Sequence, residues 1–188
     1  MGLLDTILGR SKPVKPDLDD LFALPSAAVT LQAAGNLVPT GVGSVCVKPA
    51  EGGAFAGLRE QINELLGMDD GKYDESTDSF GFTWIVRRGD PGDLSGLVAD
   101  LHGVNATLTD AGFGSALLCT LVSFSDAQAP AVGLVYLYKR GTWYPFAPTG
   151  PDKRDNAREL QVRAYLGDEL KVEPDLSRWF PVWGAPGL

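Results

Sequence analysis

The chain has 188 residues, 44% hydrophobic, 21% charged and 9% aromatic, which is the composition of a globular domain long enough to bury a core without disulfide staples. A net charge of −8, from 16 Lys and Arg against 24 Asp and Glu, argues against a nucleic-acid binder, since phosphate contacts need a basic face. One histidine and two cysteines 73 positions apart are too few for a zinc site built from His and Cys alone, and no cofactor is expected.

Residues 1–16, MGLLDTILGRSKPVKP, stand apart from the rest. Met1, Leu3, Leu4, Ile7 and Leu8 fall near helical spacing, and Pro13 and Pro16 end any helix because proline lacks the amide hydrogen that would continue it. Arg10, Lys12 and Lys15 against Asp5 put this segment at +2 and the remainder at −10. Two readings stand. In one, Leu3, Leu4, Ile7 and Leu8 insert at a lipid headgroup boundary while Arg10 and Lys12 meet anionic lipid. In the other, the same leucines and isoleucine dock on the protein's own surface. Eight or nine helical residues span only ~13 Å, so membrane binding by this segment alone is weak and gains from oligomerisation or a membrane-bound partner. The segment has no signal-peptide pattern, and no run approaches the ~20 apolar residues of a spanning helix. The expected location is cytoplasmic, peripheral at most at the inner face of the plasma membrane.

Residues 17–188 read as one α+β domain. Asp17 caps a first short helix, Pro25 restarts the chain and Gly35 ends the second helical segment. Residues 38–49 form a strand with a glycine-loosened entry. The segment EGGAFAGLREQINELLGM is the clearest amphipathic helix, with Phe55, Leu58, Ile62, Leu65 and Leu66 on one face. An acidic loop, DDGKYDESTDS, leads to the strand FGFTWIVRRGD, whose alternation places Phe80, Phe82, Trp84 and Val86 together. A helix follows from Asp93 and ends at Gly112. SALLCTLVSF is a third strand, too apolar for a wet edge, and AVGLVYLYKRGTWYPFAP is a hairpin turning at Lys139, Arg140 and Gly141. From Asp152 a polar start leads into a last helix. The tail, residues 171–188, carries Trp179, Phe180 and Trp183 and is expected to pack in extended form over a groove.

DLDDLFA (17–23) echoes DLSGLVA (93–99), VTLQAAG (29–35) echoes ATLTDAG (106–112), and each pair precedes an apolar strand containing a cysteine, Cys46 or Cys119. The echo suggests two helix-then-strand halves, 17–89 and 93–170, whose strands merge into one mainly antiparallel sheet packed with helices. Both cysteines are expected to be buried and reduced, acting as small hydrophobes.

The chemistry-bearing residues are few. His102 is the one imidazole, and a structural role suits it better than that of a base. Asp69, Asp70, Asp74, Glu75 and Asp78 offer oxygens but lack the EF-hand spacing, so a solvated loop is expected. TGVGS lacks a phosphate-loop pattern. Arg87 with Arg88, and Lys139 with Arg140, sit at strand ends as ordinary turn chemistry. A partner or ligand groove is expected at Trp84, Trp143, Trp179, Phe180 and Trp183. No catalytic and no metal residues are assigned.

Residues 3–56, from GLLDTILGRSKPVKPDLDDLFALPSAAVTLQAAG into PTGVGSVCVKPAEGGAFA, resemble the start of an actinobacterial family of PspA-associated proteins, PspAB, and the C-terminal RWFPVW is compatible with it. The resemblance implies a non-enzymatic cytosolic accessory of an envelope-stress response, whose partner is a PspA-like coiled-coil protein that coats damaged membrane. It transfers no site residues. A small-molecule-binding or enzymatic α+β domain with a pocket near the aromatic tail is the alternative, and a dimerisation module with a large apolar patch is a third.

Overall fold

The structure is a computed structural model that describes residues 17–48, 64, 72–126 and 128–188. The N-terminal wedge, with Leu3, Leu4, Ile7, Leu8, Arg10 and Lys12, lies outside the described residues. So does the amphipathic helix expected over residues 51–68, apart from Glu64, which is helical.

The chain is α+β. In order, a 3-10 turn (Leu18–Ala23), α1 (Leu24–Gly35) and β1 (Val38–Val47) precede β2 (Tyr73–Thr77) and β3 (Thr83–Arg88). Then come α2 (Leu94–Leu108), β4 (Leu117–Ser125), β5 (Val132–Leu137) and β6 (Thr142–Phe146), a small ribbon of β7 (Pro148–Gly150) and β8 (Lys153–Arg154), and α3 (Asn156–Leu166). The ends follow from local chemistry. Asp17, Asp93 and Asp155 each accept an orphan backbone N–H of the turn they open, and Asn36 closes α1 in the left-handed region. α2 runs on into a wider turn, Thr109–Phe113, that Gly112 breaks at φ 88°.

The six main strands form one antiparallel sheet in the order β2-β3-β1-β4-β5-β6. SALLCTLVSF becomes β4, flanked on both sides as its apolarity requires. DDGKYDESTDS is a correction, because Tyr73–Thr77 is a strand rather than loop. Asp74, Ser76 and Thr77 are exposed, Glu75 is half-buried and only Tyr73 is buried, and such a polar edge strand resists pairing with another chain. The edge at β6 is closed differently: residues 171–173 run alongside it, with Trp143 N–H donating to Lys171 O and Glu173 N–H to Trp143 O.

Alternation sorts the strands onto two faces. On one face, Val45, Ile85, Val122, Phe124, Tyr136 and Trp143 pack against Leu24, Leu31, Leu97, Leu101, Val162 and Leu166 of the three helices. Gly43 lets the helix face come close, since a Cβ at that position would stand 2.6 Å from Leu101 Cδ1 and push that side chain aside. On the other face, Trp84, Val86, Leu121, Val135, Tyr144 and Phe146 are covered by the C-terminal tail through Trp179 and Ala185. The expected duplication is not confirmed: DLDDLFA forms a 3-10 turn, whereas DLSGLVA opens a 15-residue α-helix.

Candidate functional site

The tail is strapped across its face by hydrogen bonds at intervals. Tyr144 Oη donates to Phe180 O at 2.7 Å, Arg154 Nη1 to Trp179 O at 2.7 Å, Trp179 Nε1 to Glu173 O at 3.0 Å and Ser123 Oγ to Gly187 O at 2.7 Å. Trp179 stacks on Tyr144, and Trp183 meets Phe146 edge-on at 5.0 Å between centroids. Two buried carboxylates hold the straps in place. Glu159 takes Arg154 Nε and the Ala147 N–H, and Glu173 takes Arg140 Nε at 2.6 Å and Thr142 Oγ1 at 2.9 Å. Burial opposes the charge on Glu173, but these donors outweigh it and hold the carboxyl below its usual range.

Between the tail and the sheet, an open cavity of about 720 Å³ remains at the end of the sheet where β1 finishes and β3 begins. Its floor is Cys46, Cys119, Trp84 and Tyr144. Phe80 and Phe82 from the turn before β3 form one wall, and Phe180, Val182 and Trp183 form the opposite one. Leu118, Leu137 and Pro181 extend a surface that is mostly apolar, and Asp78, Lys139, Arg140 and Asp152 complete the lining. Phe80 and Phe180 stand at the mouth 60% and 56% exposed. The turn holding Phe80 and Phe82 is wound around Asp78, whose Oδ1 accepts both of their N–H groups and whose Oδ2 accepts Trp84 Nε1.

Register brings the two thiols together. Cys46 and Cys119 are direct cross-strand partners in β1 and β4, both unoxidised and buried. The pairing shifts just beyond them, where Val47 faces Leu117, so Leu118 is the extra residue of a β-bulge and turns its side chain into the cavity beside Cys119. The Cys119 contact and then burial push the Cys46 thiol up, and burial does the same to the Tyr144 phenol. Both groups are therefore held in their neutral forms.

Of the residues expected in a groove, Trp84, Phe180 and Trp183 line the cavity. Trp179, itself in the tail, is buried against the sheet and stacks on Tyr144, while Trp143 is in the core on the helix face, against Tyr136. Reading the sequence missed Phe80, Phe82, Leu118 and the paired thiols. The alternation at Phe80, Phe82 and Trp84 was the one available signal. His102 is half-buried, its Nε2 3.2 Å from Asp19 Oδ1 and its ring against Phe22, a structural placement away from the cavity. Arg87 pairs with Asp100 at 2.7 Å and Arg88 with Asp74 at 3.5 Å. Among the described residues, no helix is long and apolar enough to cross a membrane.

No curated protein and no solved structure matches the chain. A family model described as PspAB, PspA associated protein B, matches residues 1–187, in agreement with the resemblance carried by residues 3–56. With the match running over nearly the whole chain, the protein belongs to the PspAB family.

Proposed function

We propose that this protein is a non-enzymatic accessory that works with a PspA-like coiled-coil protein at the cytosolic face of a bacterial membrane during envelope stress. The family description supports the link to PspA. The observation that carries a binding role is the aromatic cavity, with Phe80 and Phe180 presented at its mouth. An apolar group entering there gains burial against walls already held in place by hydrogen bonds. The Cys46 thiol and the Tyr144 phenol on its floor are kept neutral, which suits them to contact rather than nucleophilic chemistry. In this reading the N-terminal segment, with Leu3, Leu4, Ile7, Leu8, Arg10 and Lys12, supplies a weak contact to anionic lipid.

Co-sedimentation of the full chain with anionic liposomes, with and without the PspA-like protein, tests this. Pelleting is expected with the partner and reduced without it, and deleting residues 1–12 is expected to remove the partner-independent fraction. No pelleting in either case overturns the reading.

A second reading, a domain that binds a small apolar molecule, is favoured by the cavity's dimensions. About 720 Å³ lies within the range of ~300–1,000 Å³ usual for small-molecule sites.

A further inference from the structure

Four charged residues belong to the cavity lining: Asp78, Lys139, Arg140 and Asp152. Two are engaged. Asp78 accepts from Phe80, Phe82 and Trp84, and Arg140 is paired with the fully buried Glu173. Lys139 and Asp152 are exposed, and neither has a hydrogen bond or ion pair among the described residues. One lies in the β5–β6 turn and the other in the β7–β8 turn, at φ 55°. Among the described residues, Lys139 and Asp152 are therefore a cation and an anion at the cavity without a partner.

Below the mouth the lining is mostly carbon and sulfur, and the polar atoms of Trp84 and Tyr144 there are already bonded, to Asp78 and the Phe180 carbonyl. A ligand with polar atoms inside this region would lose their hydration without compensation, so the buried part must be hydrocarbon. We propose that the cavity binds a single-chain amphiphile with a zwitterionic head group. The acyl chain lies on the floor of Cys46, Cys119, Trp84 and Tyr144, the anionic end of the head group is at Lys139, and the ammonium end is at Asp152. This rests on the second reading above and names its ligand class. The cavity's chain preference follows from burial: each additional methylene tightens binding about fourfold until the floor is filled.

The test uses the full chain and three probes carrying the same twelve-carbon chain brominated at its end, each below its micelle concentration. They are a lysophosphatidylethanolamine, an alkyl phosphate and an alcohol. Bromine quenches nearby indoles, and Trp84 and Trp183 line the cavity while Trp143 lies across the sheet. Saturable quenching is expected, tightest for the zwitterion. Lys139→Gln is expected to weaken both charged probes, and Asp152→Asn the zwitterion alone, by about two- to fivefold each as for exposed charge pairs. Both sites are exposed, and asparagine tolerates the positive φ. An alcohol that binds as tightly as the zwitterion overturns the head-group assignment while leaving the cavity a binding site. Quenching by none of the probes overturns both. A diazirine in place of bromine, photolysed in the unaltered protein, is expected to label the cavity lining, at Cys46, residues 80–84, 118–119, Leu137, Tyr144 or 180–183, and labelling confined to residues outside that lining overturns the site.

Discussion

Cys46 and Cys119 show how much a side chain's behaviour depends on its neighbour. Facing each other across β1 and β4, each is a small hydrophobe with a weakly donating hydrogen, and the Cys46 thiol is driven up by that contact and by burial. Alkylation near neutral pH is accordingly expected to be slow in the native state and complete in urea, read by mass spectrometry. Fast native labelling would mean that the thiols are open to solvent. Ser44 is the opposite case. Its hydroxyl is buried and has no hydrogen-bond partner among the described residues. Replacing such a group with an apolar one removes a desolvation penalty of about 1–3 kcal/mol. Ser44→Ala is therefore expected to leave urea stability unchanged or raise it, whereas a loss above about 1 kcal/mol would mean that the hydroxyl is hydrogen-bonded in solution.

The element that makes the site is the C-terminal tail, and it stays in place because buried charge anchors it. Arg154 reaches from β8 to Glu159 in α3, to the Trp179 carbonyl and across the Phe146 ring at 5.0 Å. Glu159 is almost completely buried, so removing Arg154 leaves an uncompensated charge. Arg154→Ala is expected to cost about 3–5 kcal/mol in chemical denaturation, and to weaken cavity binding more than stability alone explains. A cost below 1 kcal/mol would mean that water reaches Glu159 readily. The tail was legible in part. Trp179, Phe180 and Trp183 beside two prolines announce a packed segment, but the extended form expected of it is interrupted by a 3-10 turn at Leu176–Arg178, and the straps come from Ser123, Tyr144 and Arg154, whose sequence surroundings say nothing about residues 174–188.

Across the whole molecule, two carboxylates link folding to acid. Glu173 joins the β5–β6 turn to the tail, and Asp100 joins α2 to Lys72 and Arg87 at the opposite edge of the sheet. Burial raises each, hydrogen bonds to cations outweigh it, and both stand below their ordinary values of 4.5 and 3.8. A carboxyl depressed by folding contributes stability that is present above its unfolded value and is lost as pH falls through the folded one. Denaturation midpoints are therefore expected to be flat above about pH 5 and to drop below about pH 4, with Glu173→Gln shallower on the acid side and less stable at neutral pH. An acid limb with the same slope in Glu173→Gln would assign the linkage elsewhere.

Most elements were readable because their signals are local. Capping aspartates, Pro25, Gly35, Gly112 and the Lys139–Gly141 turn act within a few residues, and alternation separates buried from exposed faces inside one strand. The α+β class and the central position of β4 follow from those signals. The edge strand β2 escaped because a single inward tyrosine among polar residues looks like loop until β3 supplies its partner. The cavity could not be read locally at all. It depends on the register of β1 against β4, which sets Cys46 opposite Cys119 and bulges Leu118, and on where Phe180, Val182 and Trp183 of the tail meet the sheet. Those are long-range pairings, whose free energy is gained only when distant segments meet, so no local pattern records them.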